Sequence, residues 1–422
     1  MALNEQLRND FKSLIEKSIE LESRANQNKP TRYWYPLSLA TYGSEEILEA
    51  LDSMCSFRTS MWEKTLEFER RFSSYLDCFD SVMVNSGSSA DLLMAFLLTN
   101  PRSPILKPGD EILIPIVTWP THVWSAMMAG LKVKFVDVDP ETLNIDLLDL
   151  KKKISKNTKA IFLVHLLGNP CEMDQIKKMA DECGAVILED CCEAMGAEYD
   201  GKKVGTFGIA GSFSFFFSHH ITTMEGGIIS CNQPEIVDDL RILRAHGWTR
   251  NSSRTFSEID ESKIDSRYAF VNWGFNVRPT DVNAAFGLEQ LRKLPKFNMR
   301  REEIYNKFKK EIESLELPIK FPKVSKKSTP SWLAIPMMIE CSNPESRHRF
   351  CEYLEINGVE TRPIVAGNLA KHPVAKLFKE FNESTFSGAD KIHSNGLYIG
   401  LSPMITDVAL DRLIEVIRKY SW

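Results

Sequence analysis

The sequence predicts an α/β protein: a large domain on a mixed, mostly parallel sheet, followed by a small C-terminal α+β domain. Three observations lead there. Short Val/Ile-rich runs alternate with helical stretches between about residues 80 and 190, the pattern of parallel strands covered on both faces. The chain has 422 residues, enough for two domains and a sizeable core. Near residue 290 the alternation gives way to a long charged helix and fewer strand signals.

The elements follow in order. Residues 1–35 read as an N-terminal helical extension, charged and amphipathic in MALNEQLRNDFKSLIEKSIELESR, then a polar link, NQNKP. The large domain, 36–290, begins around RYWYPLSLATYGSEEILEAL, and 62-WEKTLEFERRFSSYL-76 spaces its apolar residues as a surface helix. Strand and helix then alternate: VMVNSG and SSADLLMAFLL; EILIPIVTW and THVWSAMMAG; KVKFVDVD; AIFLVHLLG and MDQIKKMADECG; AVILED. The small domain, 291–422, opens on LRKLPKFNMRREEIYNKFKKEIESL and contains the strand SWLAIPMMIE, the helix and turn HRFCEYLEINGVE, and a last helix, ALDRLIEVIRKY. In such sheets ligands sit at the carboxyl ends of the strands.

Composition narrows the function classes. Hydrophobic residues make up 43% and charged residues 26%, with a net charge of −5, so a nucleic-acid surface is not expected. No apolar run reaches the ~18 residues of a membrane span. The charged N-terminus is neither signal peptide nor anchor, and the expected compartment is the cytoplasm. Nine scattered cysteines without a C-x-x-C pair read as reduced thiols, and no metal site is expected.

Five motifs carry chemistry. The first, 211-GSFSFFFSHHITTMEGG-227, is a strand, a tight polar turn with two histidines, and a glycine pair before the next strand. Taken alone, His219 and His220 read as loop or core histidines bonded to backbone. The second, 85-NSGSSADLL-93, turns into a helix whose free N–H groups and dipole favour a phosphate. A generic N-cap explains its serines equally well. The third, 114-IPIVTWPTHVW-124, places Trp119 at a strand end, where a core tryptophan is the plain alternative. The fourth, 185-AVILEDCCEAMGA-197, ends a buried strand on two acids, and an unpaired buried carboxylate is costly. Strand neighbours face opposite sides, so Glu189 and Asp190 point apart. The fifth, 273-WGFNVRPTDVNAAFGLEQL-291, reads as a turn before a helix.

In this order and spacing the five motifs resemble the DegT/DnrJ/EryC1/StrS family over roughly residues 35–420. The resemblance implies fold type I of the pyridoxal phosphate (PLP) enzymes, the aspartate aminotransferase-like architecture. Family aminotransferases carry a cofactor-binding lysine six residues before Glu-Gly-Gly; counting back from Glu225 lands on His219. An imidazole forms no stable imine, but with a pKa near 6.5 it moves protons at neutral pH. The S-H-H loop resembles the family's histidine-type nucleotide-sugar 3-dehydratases. By family position, His219 is the catalytic base, Gly87, Ser88 and Ser214 hold the cofactor phosphate, and Trp119 stacks on the ring. Asp190 pairs with the ring nitrogen, and Glu193 sits beside the cofactor. Asn276 reaches the phosphate of a neighbouring subunit, Arg278 can pair with substrate diphosphate, and His220 fixes the loop or lines the sugar pocket.

The implied reaction is removal of the C3 hydroxyl from a nucleotide-diphosphate 4-keto-6-deoxysugar. L-Glutamate converts noncovalently held PLP to pyridoxamine phosphate (PMP), and ammonia is released. RAHGWTR (244–250) and TRPIVAGNL (361–369) resemble the branch acting on GDP-4-keto-6-deoxymannose, whereas the N-terminal helix and EDCC look like the CDP-sugar branch. A sister class holds an iron–sulfur cluster on cysteines after this loop. Here none occurs between Cys231 and Cys341, so no cluster is expected. The expected unit is a homodimer with shared sites. An aminotransferase using another amine, and an inactive homologue, are the alternatives.

Overall fold

The computed structural model describes residues 3–27, 32–340, 345–382 and 384–422; part of the polar link, 28–31, and Cys341 fall outside them. The large sheet has seven strands: β1 (Asp80–Val84), β2 (Glu111–Pro115), β3 (Lys132–Val136), β4 (Thr158–Val164), β5 (Val186–Asp190), β8 (Ala210–Ser214) and β9 (Gly227–Cys231). A short hairpin, β6 (Glu198–Tyr199) and β7 (Lys202–Lys203), interrupts the numbering. The spatial order is β1-β9-β8-β5-β4-β2-β3, and only β9 runs antiparallel to its neighbours.

Helices cover both faces. They include α2 (Ser44–Cys55), α3 (Glu63–Leu76), α4 (Gly87–Leu98), α5 (Thr121–Met128), α6 (Leu147–Lys153), α7 (Met173–Cys183) and α8 (Pro234–Arg244). The central strands β2 and β8 are buried along their whole length, which is why their sequences read as continuous apolar or small-residue runs instead of alternating. Ahead of α2, helix α1 (Glu5–Gln27) is tied to it through Arg8–Glu49, Lys12–Glu45 and Ser44–Glu16 contacts. Its later turns are largely solvent-exposed.

The expected division at 290/291 falls inside α9 (Asp281–Ser314), one helix of 34 residues capped by Thr280 and continuous past Pro295. Its first half packs on α2 and α3, and its second half enters the C-terminal core. That core surrounds the antiparallel sheet β10 (Ile319–Lys320), β12 (Ala334–Ile339), β14 (Gly396–Gly400) and β13 (Thr361–Arg362), in that order. A bridge β11 (Ser328–Thr329) ties to β6, and α10 (Ser346–Ile356), α11 (Ser387–Asn395) and α12 (Asp407–Arg418) complete the part. Tyr35, at the expected domain start, belongs to this second core: it bridges Val359 and donates its hydroxyl to the Gly400 carbonyl at 3.1 Å. A third apolar cluster runs from the large sheet into Ala334, Met338 and Ile364, so the two parts share buried contact.

Candidate active site

Four strand ends meet at one edge of the large sheet. β1 turns into α4 through Asn85 and Ser86, β4 ends at Val164, β5 at Asp190, and β8 at Ser214. Between them and the C-terminal part lies a cavity of about 380 Å³. Gly87, Ser88, Trp119, Asp190, Glu193, Ser214 and His219 all line it, so seven of the ten residues expected at the site come together.

One end is built for an anion. Ser86 caps α4 by accepting from the Ser89 N–H at 3.1 Å, and the first turn carries no acid. Ser88 Oγ and Thr121 Oγ1 lie 3.1 Å apart across the mouth. A Cβ on Gly87 would stand 2.5 Å from Ser214 Cβ, so only glycine lets the helix start approach β8. Amide donors, hydroxyls and the positive helix end thus converge on one point.

At the other end sits Asp190. Its Oδ1 accepts from the Cys192 N–H at 2.7 Å, and its Oδ2 pairs with His122 Nε2 at 2.8 Å. Burial pushes this carboxyl up, but His122 more than offsets it and holds the pKa below the usual aspartate value. Glu189 faces the other side, as strand alternation requires: it accepts N–H groups from Gly205, Phe207 and Gly208 and pairs with His165 at 3.2 Å. Glu193 accepts from the Leu167 N–H at 2.8 Å, and burial raises its pKa to about 7. Trp119 stands at the mouth, 58% exposed, with a free face available for stacking.

The histidine loop spans 215–226 and is pinned at its base by Phe215 N–H to Gly226 and Thr223 N–H to Phe215 bonds, both 2.9 Å. His219 lines the cavity and its Nδ1 is buried without a partner. Burial lowers its pKa to about 4, against the pull of Asp190, so the imidazole is neutral and able to accept a proton. Arg301, buried in α9, clamps the loop by donating to the His219 and His220 carbonyls at 3.3 Å and to the Leu401 carbonyl at 3.2 Å.

One expectation changes. His220 does not line the sugar side of the cavity: it is fully buried, with Nε2 3.0 Å from the Ser331 carbonyl, and serves to anchor the loop on the C-terminal part. Asn276 and Arg278 lie outside this chain's cavity. Arg278 Nε donates to Asn276 Oδ1 at 3.0 Å, and both line an outward cleft with Trp62, Trp248 and Arg250. Lys202 and Lys203 also stay away, bonded to the Thr206 carbonyl and near Glu198.

The sequence of residues 41–418 matches the DegT/DnrJ/EryC1/StrS aminotransferase family. The chain belongs to this family. A GDP-4-keto-6-deoxy-D-mannose 3-dehydratase of Yersinia pseudotuberculosis is 38% identical over 390 residues, covering 91% of this chain and 98% of that protein. Among DegT/DnrJ/EryC1/StrS structures, the Escherichia coli GDP-4-keto-6-deoxy-D-mannose-3-dehydratase with bound hydrated PLP superposes with a TM-score of 0.85 at 37% identity, over 91% and 99% of the two chains. A GDP-4-keto-6-deoxymannose-3-dehydratase with a trapped PLP-glutamate geminal diamine gives 0.84 at 36%, over 90% and 99%. The family cofactor fits the residues present: the glycine-dependent cradle at α4 suits its phosphate and the Asp190 carboxylate its ring nitrogen. Among the described lining residues there is an imidazole and no lysine.

Motif reading missed three groups at this DegT/DnrJ/EryC1/StrS site. His122 and Asp91 flank Asp190, and Arg301 holds the histidine loop. Asp91 sits in SSADLL and His122 in THVW, and nothing in either stretch sets them apart from ordinary helical residues.

Proposed function

We propose that this protein removes the C3 hydroxyl of a GDP-linked 4-keto-6-deoxymannose with PLP/PMP as cofactor and L-glutamate as amino donor. The observation that carries the reading is His219: a neutral imidazole with an unpartnered buried nitrogen in the cavity position where an aminotransferase needs an amine. When bound, the cofactor supplies an electron sink and a reversible carrier for the glutamate nitrogen. The amides of α4 with Ser88 and Ser214 hold its phosphate, Asp190 its ring nitrogen, and Trp119 covers one face. With no lysine among the described lining residues, the chain retains the cofactor through these contacts alone. His219 takes a proton from carbon and returns one to the departing C3 oxygen, a role that needs a base uncharged at neutral pH.

The balance closes without a separate reductant. Keto sugar plus glutamate gives 3-deoxy-4-keto sugar, 2-oxoglutarate and ammonia; water lost at C3 is matched by water consumed in releasing the nitrogen.

The same reading makes the active unit a homodimer, with Asn276 and Arg278 presented to the partner's cofactor and substrate phosphates. Their outward cleft, and the exposed Phe57, Trp62 and Leu66 beside it, support that arrangement. Among the described residues no helix is long and apolar enough to cross a membrane.

The test is direct. Incubate the protein with PLP, L-glutamate and GDP-4-keto-6-deoxymannose, then weigh the sugar nucleotide and assay ammonia. A product lacking one oxygen, with equimolar ammonia, is expected; a product retaining nitrogen would instead make the chain an aminotransferase.

A further inference from the structure

Three titratable groups are buried together at the wall of the cavity, which Asp91 and Asp190 line, and the function above uses only one. Asp91 lies on α4, one turn beyond Gly87; His122 lies on α5; Asp190 ends β5. His122 Nε2 is 2.8 Å from Asp190 Oδ2 and 3.5 Å from Asp91 Oδ2. The other ring nitrogen contacts Thr118 Oγ1, so the imidazole has no freedom to turn. Asp91 Oδ1 accepts from Ser212 Oγ at 2.6 Å, and the same hydroxyl stands 3.5 Å from Asp190 Oδ1. The arrangement is a closed ring of partners joining α4, α5, β5 and β8.

A helix start that only holds phosphate has no need of a second buried carboxylate, which is expensive to keep there. One imidazolium between one aspartate pair member alone is a neutral unit. With both carboxylates ionised it carries a net −1, and a proton taken up near neutrality resides on Asp91 and leaves the Asp190–His122 pair intact. We propose that Asp91 is a positioning residue: acting through His122, it keeps Asp190 ionised and fixed toward the cationic ring nitrogen of the cofactor, a role that rests on the cofactor reading above.

The charges agree with this geometry. Burial lowers His122, but Asp91 and Asp190 together raise it to about 9. Burial raises Asp91, with His122 opposing, so Asp91 is the member that exchanges a proton near neutrality while Asp190 stays ionised. The other titratable groups facing the trio are Cys192, Glu193 and His219.

The experiment follows the His122 ring by ¹⁵N NMR in the full chain before and after PLP addition, comparing wild type with Asp91→Asn. The isosteric amide should lower the His122 proton affinity at least about tenfold, one pH unit, and shift the pH midpoint of the bound PLP absorbance. Should Asp91→Asn fold poorly, Ser212→Ala weakens the same carboxylate and should move His122 in the same direction by less. Identical His122 titrations in wild type and variant would overturn the proposal while leaving the dehydratase reading intact. A shifted His122 in a protein that binds no PLP would uphold the Asp91–His122 coupling and count against the cofactor reading instead.

Discussion

His219 Nδ1 is a buried polar atom with no partner, and such atoms are costly unless a ligand or a reaction uses them. Its environment favours the neutral ring, with a pKa near 4 against 6.5 for a free histidine. Between those two values the unfolded chain binds more protons than the folded one, so stability is lost as pH falls through that window. Replacing His219 with Asn removes this liability. His219→Asn should therefore resist acid better than wild type by about 2 kcal/mol at pH 4, allowing for screening of a half-buried ring, and match it above pH 7. Urea melts across pH 4–8 measure this. The same variant should release ammonia at least ~10²-fold more slowly while PLP affinity stays within a few-fold, since the phosphate and ring-nitrogen contacts are untouched. A variant turning over normally would remove His219 from the chemistry. The position of this histidine was legible because it stands six positions before an unmistakable Glu-Gly-Gly. Asp91 and His122 were not, because each belongs to a helix whose apolar spacing already accounts for it. Only the meeting of β1, β2 and β5 at one edge brings them to Asp190.

Secondary elements matter here through how closely they approach one another. β9 is the antiparallel strand wedged between β1 and β8, and at its first residue it passes under the start of α4. A Cβ on Gly227 would lie 2.4 Å from the Ser86 carbonyl oxygen and 2.6 Å from the Gly87 nitrogen, both backbone atoms that cannot swing away. Gly227→Ala must push the phosphate-binding turn aside. It should cost about 1–3 kcal/mol by overpacking and, unlike a remote destabilising change, weaken PLP binding at temperatures where the fold persists. Equilibrium dialysis beside a thermal melt separates the two effects. The alternation of Val/Ile runs with helices gave the parallel strands of the large sheet, because periodicity reports burial directly. The change of pattern near residue 290 falls within α9, which runs through it and past Pro295, held by buried faces on either side. Tyr35 likewise joins the distant β13–β14 end, a long-range pairing that no local pattern encodes.

At the scale of the whole molecule, one chain holds a cavity that is complete for cofactor and base but leaves two polar residues facing outward. Asn276 and Arg278 sit in a cleft with Trp62, Trp248 and Arg250, separate from the cavity that contains Asp190 and His219. Phe57, 93% exposed, and the half-exposed Trp62 and Leu66 give an apolar surface beside this cleft that the proposed dimer would cover. In a twofold dimer each surface meets its own copy, so a residue that leaves one site can complete the other. Subunit mixing distinguishes this from a purely local role. Asp190→Asn damages the site of its own chain, and Asn276→Ala should damage the site of its partner. When the two inactive variants exchange subunits, half of the dimers are mixed, and each mixed dimer has one doubly damaged and one intact site. Activity should then return to about one quarter of wild type, measured as ammonia release after refolding or prolonged incubation together. If Asn276 serves its own chain instead, every site in every mixed dimer still carries one lesion, and no activity returns.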